Sequence, residues 1–173
     1  SFGRTLRDFR ISITDRCNFR CLYCLPETAE AADFYRARGK GDSKPIKHEW
    51  KLRTHFLSYE EIERIVRIVV GLGITKIRLT GGEPLLRRDV PVLIDKLAAL
   101  PIDDLALTTN GFHFENQAKA LCDAGLRRVS FSLDSLDRDN FKKLTGRDGL
   151  DKVITAIRKA RELGFKPVKV NAV

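Results

Sequence analysis

Three cysteines, Cys17, Cys21 and Cys24, fall within eight residues at C-x3-C-x2-C spacing. Thiolates are soft ligands that suit iron–sulfur clusters, zinc or copper(I). The count of three is the informative part. A structural zinc site closes with four protein ligands, and a cubane held wholly by protein also takes four thiolates. Three on one short loop would hold three corners of a [4Fe-4S] cluster and leave the fourth iron open. The competing readings are a zinc loop completed by His48, His55 or Cys122, and cysteines with no shared task. Three clustered cysteines and a distant fourth do not form a disulfide framework; in a reducing cytosol they read as a metal site.

The elements that must position this loop follow from periodicity. Residues 9–14 alternate and lead straight into the cysteines, as a strand feeding a site at its C-terminal end. Residues 26–57 show no sustained period and carry seven cations between Arg36 and Arg53 (Arg36, Arg38, Lys40, Lys44, Lys47, Lys51, Arg53) among Gly39, Gly41 and Pro45. They are expected to form a long, mobile, solvated loop. Ser58 and Glu61 make a capping box for a helix through Ile62, Ile65, Val66 and Val69, ended by Gly71 and Gly73. Strands are expected at 76–80, 105–108, 128–133 and 167–171. Helices follow from Asp89, from Asn116, and over 150–163. Five strands alternating with four helices predict right-handed βαβ units and a parallel sheet. A doubly wound sheet and a partial (β/α) barrel both satisfy this pattern.

Parallel strands buried on both faces read as continuous apolar runs. These alternate instead. Arg10, Ser12 and Thr14 oppose Phe9, Ile11 and Ile13; Arg78 and Thr80 oppose Ile77 and Leu79; Ala106 and Thr108 oppose Leu105 and Leu107. Ser130, Ser132 and Asp134 oppose Val129, Phe131 and Leu133, and Lys169 and Asn171 oppose Val168 and Val170. One face therefore packs on helices and the other lines something hydrated or ligand-filled. Arg10, Arg78 and Lys169 on that face could pair with neighbouring carboxylates. No matching set of inward acids stands out, so a cavity for an anionic, phosphorylated ligand is expected. Ligands in βα architectures sit at strand C-termini. Those ends carry the cysteines, Gly81-Gly82-Glu83-Pro84, Thr108 to Asn110, Ser132 to Asp134, and Asn171.

The chain has 173 residues and a formal charge of +9, which favours an anionic partner. Cations on an inward sheet face point away from nucleic acid, whose footprint is an outward basic surface. No apolar run approaches the roughly 20 residues that span a bilayer, and the polar, basic start is no signal peptide. A cytoplasmic protein with no membrane partner is expected. No G-x-x-x-x-G-K-[ST] or G-x-G-x-x-G occurs, so neither phosphate loop is supported. Cys122 reads as a core residue and the three histidines as incidental. A serine start, no methionine and a strand-like end read as a fragment.

With Tyr23 just before the last cysteine, the triplet resembles the radical S-adenosylmethionine (SAM) superfamily, and Gly81-Gly82-Glu83-Pro84 resembles its glycine-rich motif. The stretches 10–21, 77–85, 107–111, 124–129, 132–134 and 167–171 further resemble one of its families, the GTP 3′,8-cyclases of molybdenum cofactor biosynthesis. The resemblance covers most of the chain except about 27–57, which would be a basic loop insertion in a single core spanning 1–173. It implies a partial (β/α) barrel with helices outside. It also implies reductive cleavage of SAM, abstraction of hydrogen from the ribose C3′ of GTP, and ring closure onto guanine C8. By resemblance Cys17, Cys21 and Cys24 hold the cluster, and Tyr23, Gly82 and Ser132 contact SAM. Arg10, Arg78, Thr108 and Lys169 contact GTP, and no side chain is assigned acid–base catalysis. The family carries a second cysteine triplet and cluster near its C-terminus and an Arg-rich tail, neither of which this chain has. It also implies a protein reductant and allows a homodimer. The alternatives are a radical SAM enzyme acting on a peptide or another cofactor, a three-cysteine zinc module, and a basic nucleic-acid binder.

Overall fold

The computed structural model describes residues 5–24, 27–39, 44–45 and 48–172. Five parallel strands form one sheet: β1 (Asp8–Ser12), β2 (Lys76–Thr80), β3 (Asp104–Thr109), β4 (Arg128–Ser132) and β5 (Val168–Asn171). They lie side by side in sequence order. A doubly wound sheet reverses its strand order at a switch point. This one never does, so its helices stack on a single face as in a partial (β/α) barrel.

The helices are α1 (Ala29–Ala37), α2 (Tyr59–Gly71), α3 (Val90–Ala98), α4 (Phe114–Asp123), α5 (Arg138–Thr145) and α6 (Leu150–Glu162), of which α2, α3, α4 and α6 form that layer. The apolar side of the sheet, from Ile77, Leu79, Leu107, Val129 and Phe131, packs against Val66 of α2, Leu93 and Leu97 of α3, Leu121 of α4 and Ala156 of α6. Each buried Leu, Ile or Phe withdraws enough apolar surface to contribute about 2 kcal/mol. Val168 of the last strand still packs against this core, but Val170 is 52% exposed, so the end of β5 lacks helix cover.

Several expectations need correcting. The stretch 26–57 is not all loop: Thr28 caps α1 by accepting from the Ala31 amide, and Arg53–His55 form a 3₁₀ turn. Lys40, Gly41 and Lys47 lie outside the described residues. Asn116 does not cap α4; it sits inside the first turn, with His113 at the N-cap. Asp89 does occupy the N-cap of α3, but at φ 57° and with no side-chain capping bond. An additional helix, α5, stands between β4 and α6. Its signals are local: the Asp137 carboxylate accepts from the Asn140 amide at 2.8 Å, and Gly146 ends it at φ 69°.

The start of α2 forms as read, with reciprocal bonds between Ser58 and Glu61. Its end gives a paired prediction. A Cβ at Gly71 would meet nothing within 4 Å, whereas Gly73 adopts φ +99°. Gly71→Ala should stabilise the protein by about 0.5–1 kcal/mol. Gly73→Ala should cost about 1–2 kcal/mol. Urea unfolding of both variants checks the contrast.

Candidate functional site

The strand C-termini meet around the cysteine loop. Strand pairing runs past β1, with Ile13 N–H donating to Thr80 O at 2.9 Å, Gly82 N–H to Thr14 O at 2.7 Å, and Glu83 N–H to Arg16 O at 2.7 Å. This approach explains the two glycines. A Cβ on Gly81 would lie 2.6 Å from Thr14 O, and one on Gly82 would lie 2.4 Å from Arg16 O. What comes close to Gly82 on that side is the protein's own backbone just ahead of Cys17.

Glu83 is fully buried directly after these glycines. Its Oε1 accepts from Leu85 N–H at 3.0 Å and Thr109 Oγ1 at 2.7 Å, and Oε2 accepts from Asn110 N–H at 2.7 Å. One carboxylate thus joins the ends of β2 and β3. Asn110 reaches onward, its Nδ2 lying 2.9 Å from Asn18 Oδ1 and 3.9 Å from Cys17 Sγ. From the other side, α5 receives the loop: Arg20 N–H donates to Thr145 O at 2.8 Å and Leu22 N–H to Leu144 O at 3.0 Å. Cys17 and Cys21 pack on a second apolar cluster of Phe19, Leu133, Phe141, Leu150 and Val153.

Cys17 and Cys21 are half-buried and Cys24 is exposed. Burial pushes all three thiols up, Cys21 to about 12, and the ionised forms oppose one another. Such thiols ionise when a metal centre takes them. Among the described residues, no three His, Cys, Asp or Glu side chains converge on one ion-sized point. Cys122 lies on the helix layer, 3.6 Å from Leu163 O, and His48 packs on Trp50. The zinc module completed by His48, His55 or Cys122 therefore gains no support. A cubane binds each thiolate through a different iron. Three soft donors on one loop suit three of its irons.

Tyr23 directs its hydroxyl to Asp134 beyond β4, and Tyr35 of α1 donates to the Tyr23 carbonyl. Burial, then the Asp134 carboxylate, raises the Tyr23 phenol. Ser132 ends β4, half-buried and in register with Asn171.

The cations fall in rows on the open sheet face. Arg10 pairs in register with Arg78, Arg78 with Ala106, and Ala106 with Arg128. The next row toward the cysteines holds Thr108, Ser130 and Lys169. Contrary to expectation, acids do stand on this face. Asp8 pairs with Arg78 at 3.8 Å and Asp104 with Arg128. They flank the strand starts, where alternation counted from Phe9 and Leu105 left them out. The pairing is incomplete: the Nε atoms of Arg78 and Arg128 are buried without a partner. Among the described residues, neither Arg10 nor Lys169 has an ion pair. A cavity of about 610 Å³ opens beside Cys17, lined by Arg16, Asn18, Arg20, Trp50 and Arg147.

The sequence profile of the Radical SAM superfamily matches residues 11–173. The chain is 51% identical over 173 residues to a GTP 3′,8-cyclase of Syntrophomonas wolfei, covering 98% of this chain and 47% of that protein. It is 47% identical to a GTP 3′,8-cyclase of Acidothermus cellulolyticus, covering 100% and 44%. The chain thus spans just under half the length of these curated relatives. In fold it is similar to Streptococcus suis SuiB bound to S-adenosylmethionine (TM-score 0.70, 20% identity, 96% of this chain and 34% of that one). It is also similar to methylornithine synthase (TM-score 0.67, 19% identity, 99% and 46%).

Two predictions follow the geometry. Gly82→Ala places Cβ against two backbone carbonyls that cannot swing away, so it should cost about 3 kcal/mol or more in urea unfolding. Burial raises Glu83 from 4.5 to about 7 against the bonds it accepts. The fold thus holds this proton more tightly than the unfolded chain does. Its contribution to stability is complete below pH 4.5 and is lost as pH rises through about 7, roughly 3 kcal/mol in all. Stability measured at pH 4.5 and 7.5 should fall less steeply in Glu83→Gln than in the parent; equal slopes would refute the assignment.

Proposed function

The chain belongs to the radical SAM superfamily, and from that premise we propose that it is the amino-terminal portion of a GTP 3′,8-cyclase of molybdenum cofactor biosynthesis. One observation carries the reading. Arg10, Arg78, Thr108 and Lys169 share one sheet face in two adjacent rows, and the row of Thr108 and Lys169 lies nearer the strand ends from which the cysteine loop leaves.

Cys17, Cys21 and Cys24 would hold the cluster, with Tyr23, Gly82 and Ser132 about the SAM. When bound, the reduced [4Fe-4S] cluster splits SAM and supplies an organic radical that takes hydrogen from the substrate. The rest falls to this chain. Arg10, Arg78 and Lys169 would receive the triphosphate, whose charge offsets cations that a sheet interior otherwise leaves costly. Arg78 would turn its free Nε and its long contact to Asp8 toward phosphate. Thr108 would hydrogen-bond the nucleoside within the same row as Lys169. Held this way, the nucleoside would keep its ribose C3′ and guanine C8 in a fixed orientation for the cyclisation. A protein reductant would supply the electron. A second cluster and its cysteine triplet would belong to sequence outside these 173 residues.

The test begins with anaerobic reconstitution. A [4Fe-4S]⁺ EPR signal that changes shape on adding SAM is expected, and its loss in Cys17→Ala, Cys21→Ala or Cys24→Ala. GTP should bind, with Arg78→Ala and Lys169→Ala each weakening it about tenfold. The 173-residue chain should not complete cyclisation. Zinc with no reconstitutable cluster, or cyclised product from this chain alone, would overturn the corresponding part.

A further inference from the structure

Asn110 is 8% exposed, and its backbone N–H and both polar atoms of its side chain are engaged. Its backbone N–H goes to Glu83 Oε2 at 2.7 Å, and its Oδ1 accepts from Phe112 N–H at 3.0 Å. The second bond settles the orientation of the amide, because only the oxygen can accept from an N–H. Nδ2 therefore faces the cysteine loop. One of its hydrogens serves Asn18 Oδ1 at 2.9 Å, and the other is directed to Cys17 Sγ at 3.9 Å. The Phe19 N–H also approaches that sulfur, at 3.4 Å. A contact of 3.9 Å is at the long end for N–H···S to a neutral thiol. A thiolate draws such a donor closer, as charged acceptors do.

We propose that Asn110, anchored by Glu83, is a positioning residue that donates its side-chain amide to the Cys17 sulfur and raises the reduction potential of the cluster bound there. This rests on reading Cys17 as a cluster ligand. Reduction adds an electron to a centre already negative through its thiolates. A donor aimed at a ligating sulfur stabilises the more negative, reduced state. The donor cannot be moved without disturbing the strand ends, since Glu83 also holds Thr109 Oγ1 and Leu85 N–H. The same carboxylate that closes the rim thus fixes how Cys17 is solvated.

The experiment is an EPR-monitored redox titration of the reconstituted chain. Asn110→Ser keeps an oxygen for Phe112 N–H but has no amide to reach Cys17. Asn110→Asp keeps the size and the acceptor and replaces the donor by an anion. The midpoint potential should fall in Asn110→Ser and fall further in Asn110→Asp. Unfolding of the cluster-free proteins reports any structural loss separately. Potentials equal to the parent's would overturn the proposal. A second measurement leaves Asn110 itself unaltered. With asparagine carrying ¹⁵N in its side-chain amide, pulsed EPR should detect a ¹⁵N coupling that persists in Asn18→Ser; its absence would also overturn the proposal. A parent chain that takes up no cluster under any reconstitution would instead sink the ligand assignment, and this inference with it.

Discussion

The approach of Gly81 and Gly82 to the backbone of residues 14–16 is the contact on which the rim of this sheet depends. Carbonyls stand where side chains would begin, so β1 and β2 stay hydrogen-bonded past their ends. The chain is then delivered to Cys17 at one height and in one direction. Glu83 fastens the same point to β3 by accepting from Thr109 and Asn110. Burying a carboxylate is costly unless its lone pairs are used. Here three donors from two elements use them. Without that closure, the cysteines would hang on a loop with no fixed relation to the rest of the strand ends.

The sheet solves a second problem by an asymmetry. Its helix-facing side is an ordinary apolar core, with Leu79, Leu107, Val129 and Phe131 fully buried. The opposite side keeps the guanidiniums of Arg10 and Arg78 in register on neighbouring strands, with Arg128 in the same row and Lys169 in the next. Asp8 and Asp104 neutralise part of that charge near the strand starts, leaving the middle and C-terminal rows more positive. The ammonium of Lys169, in the row nearer the strand ends, has no ion pair among the described residues.

Much of this was legible in residue patterns. Strict alternation from Phe9 through Val170 marked a sheet with one wet face, and the capping box at Ser58 set the start of α2 correctly. What the patterns could not supply were facts of juxtaposition. The order of the strands, which separates a barrel from a doubly wound sheet, leaves no trace in any one strand. Glu83 reads as part of a turn; only folding brings Thr109 and Asn110 to it. Asp8 and Asp104 were missed because they precede the apolar residues from which alternation is counted. The helix α5 was overlooked although Asp137 and Gly146 bracket it, because its exposed, charged length dilutes the periodicity of Phe141 and Leu144. Thr28 likewise announced α1 within a stretch dominated by cations.

That overlooked helix bears on how the protein assembles. The amides of Arg20 and Leu22 are held by carbonyls of residues 145 and 144, more than a hundred positions later in the chain. Contacts so far apart in sequence form late, since the entropy of closing the intervening chain must be met before they return anything. During synthesis, Cys17 and Cys21 emerge well before α5 and wait for it to be made. The cysteine loop thus takes its final shape only once a helix far along the chain is in place to receive it.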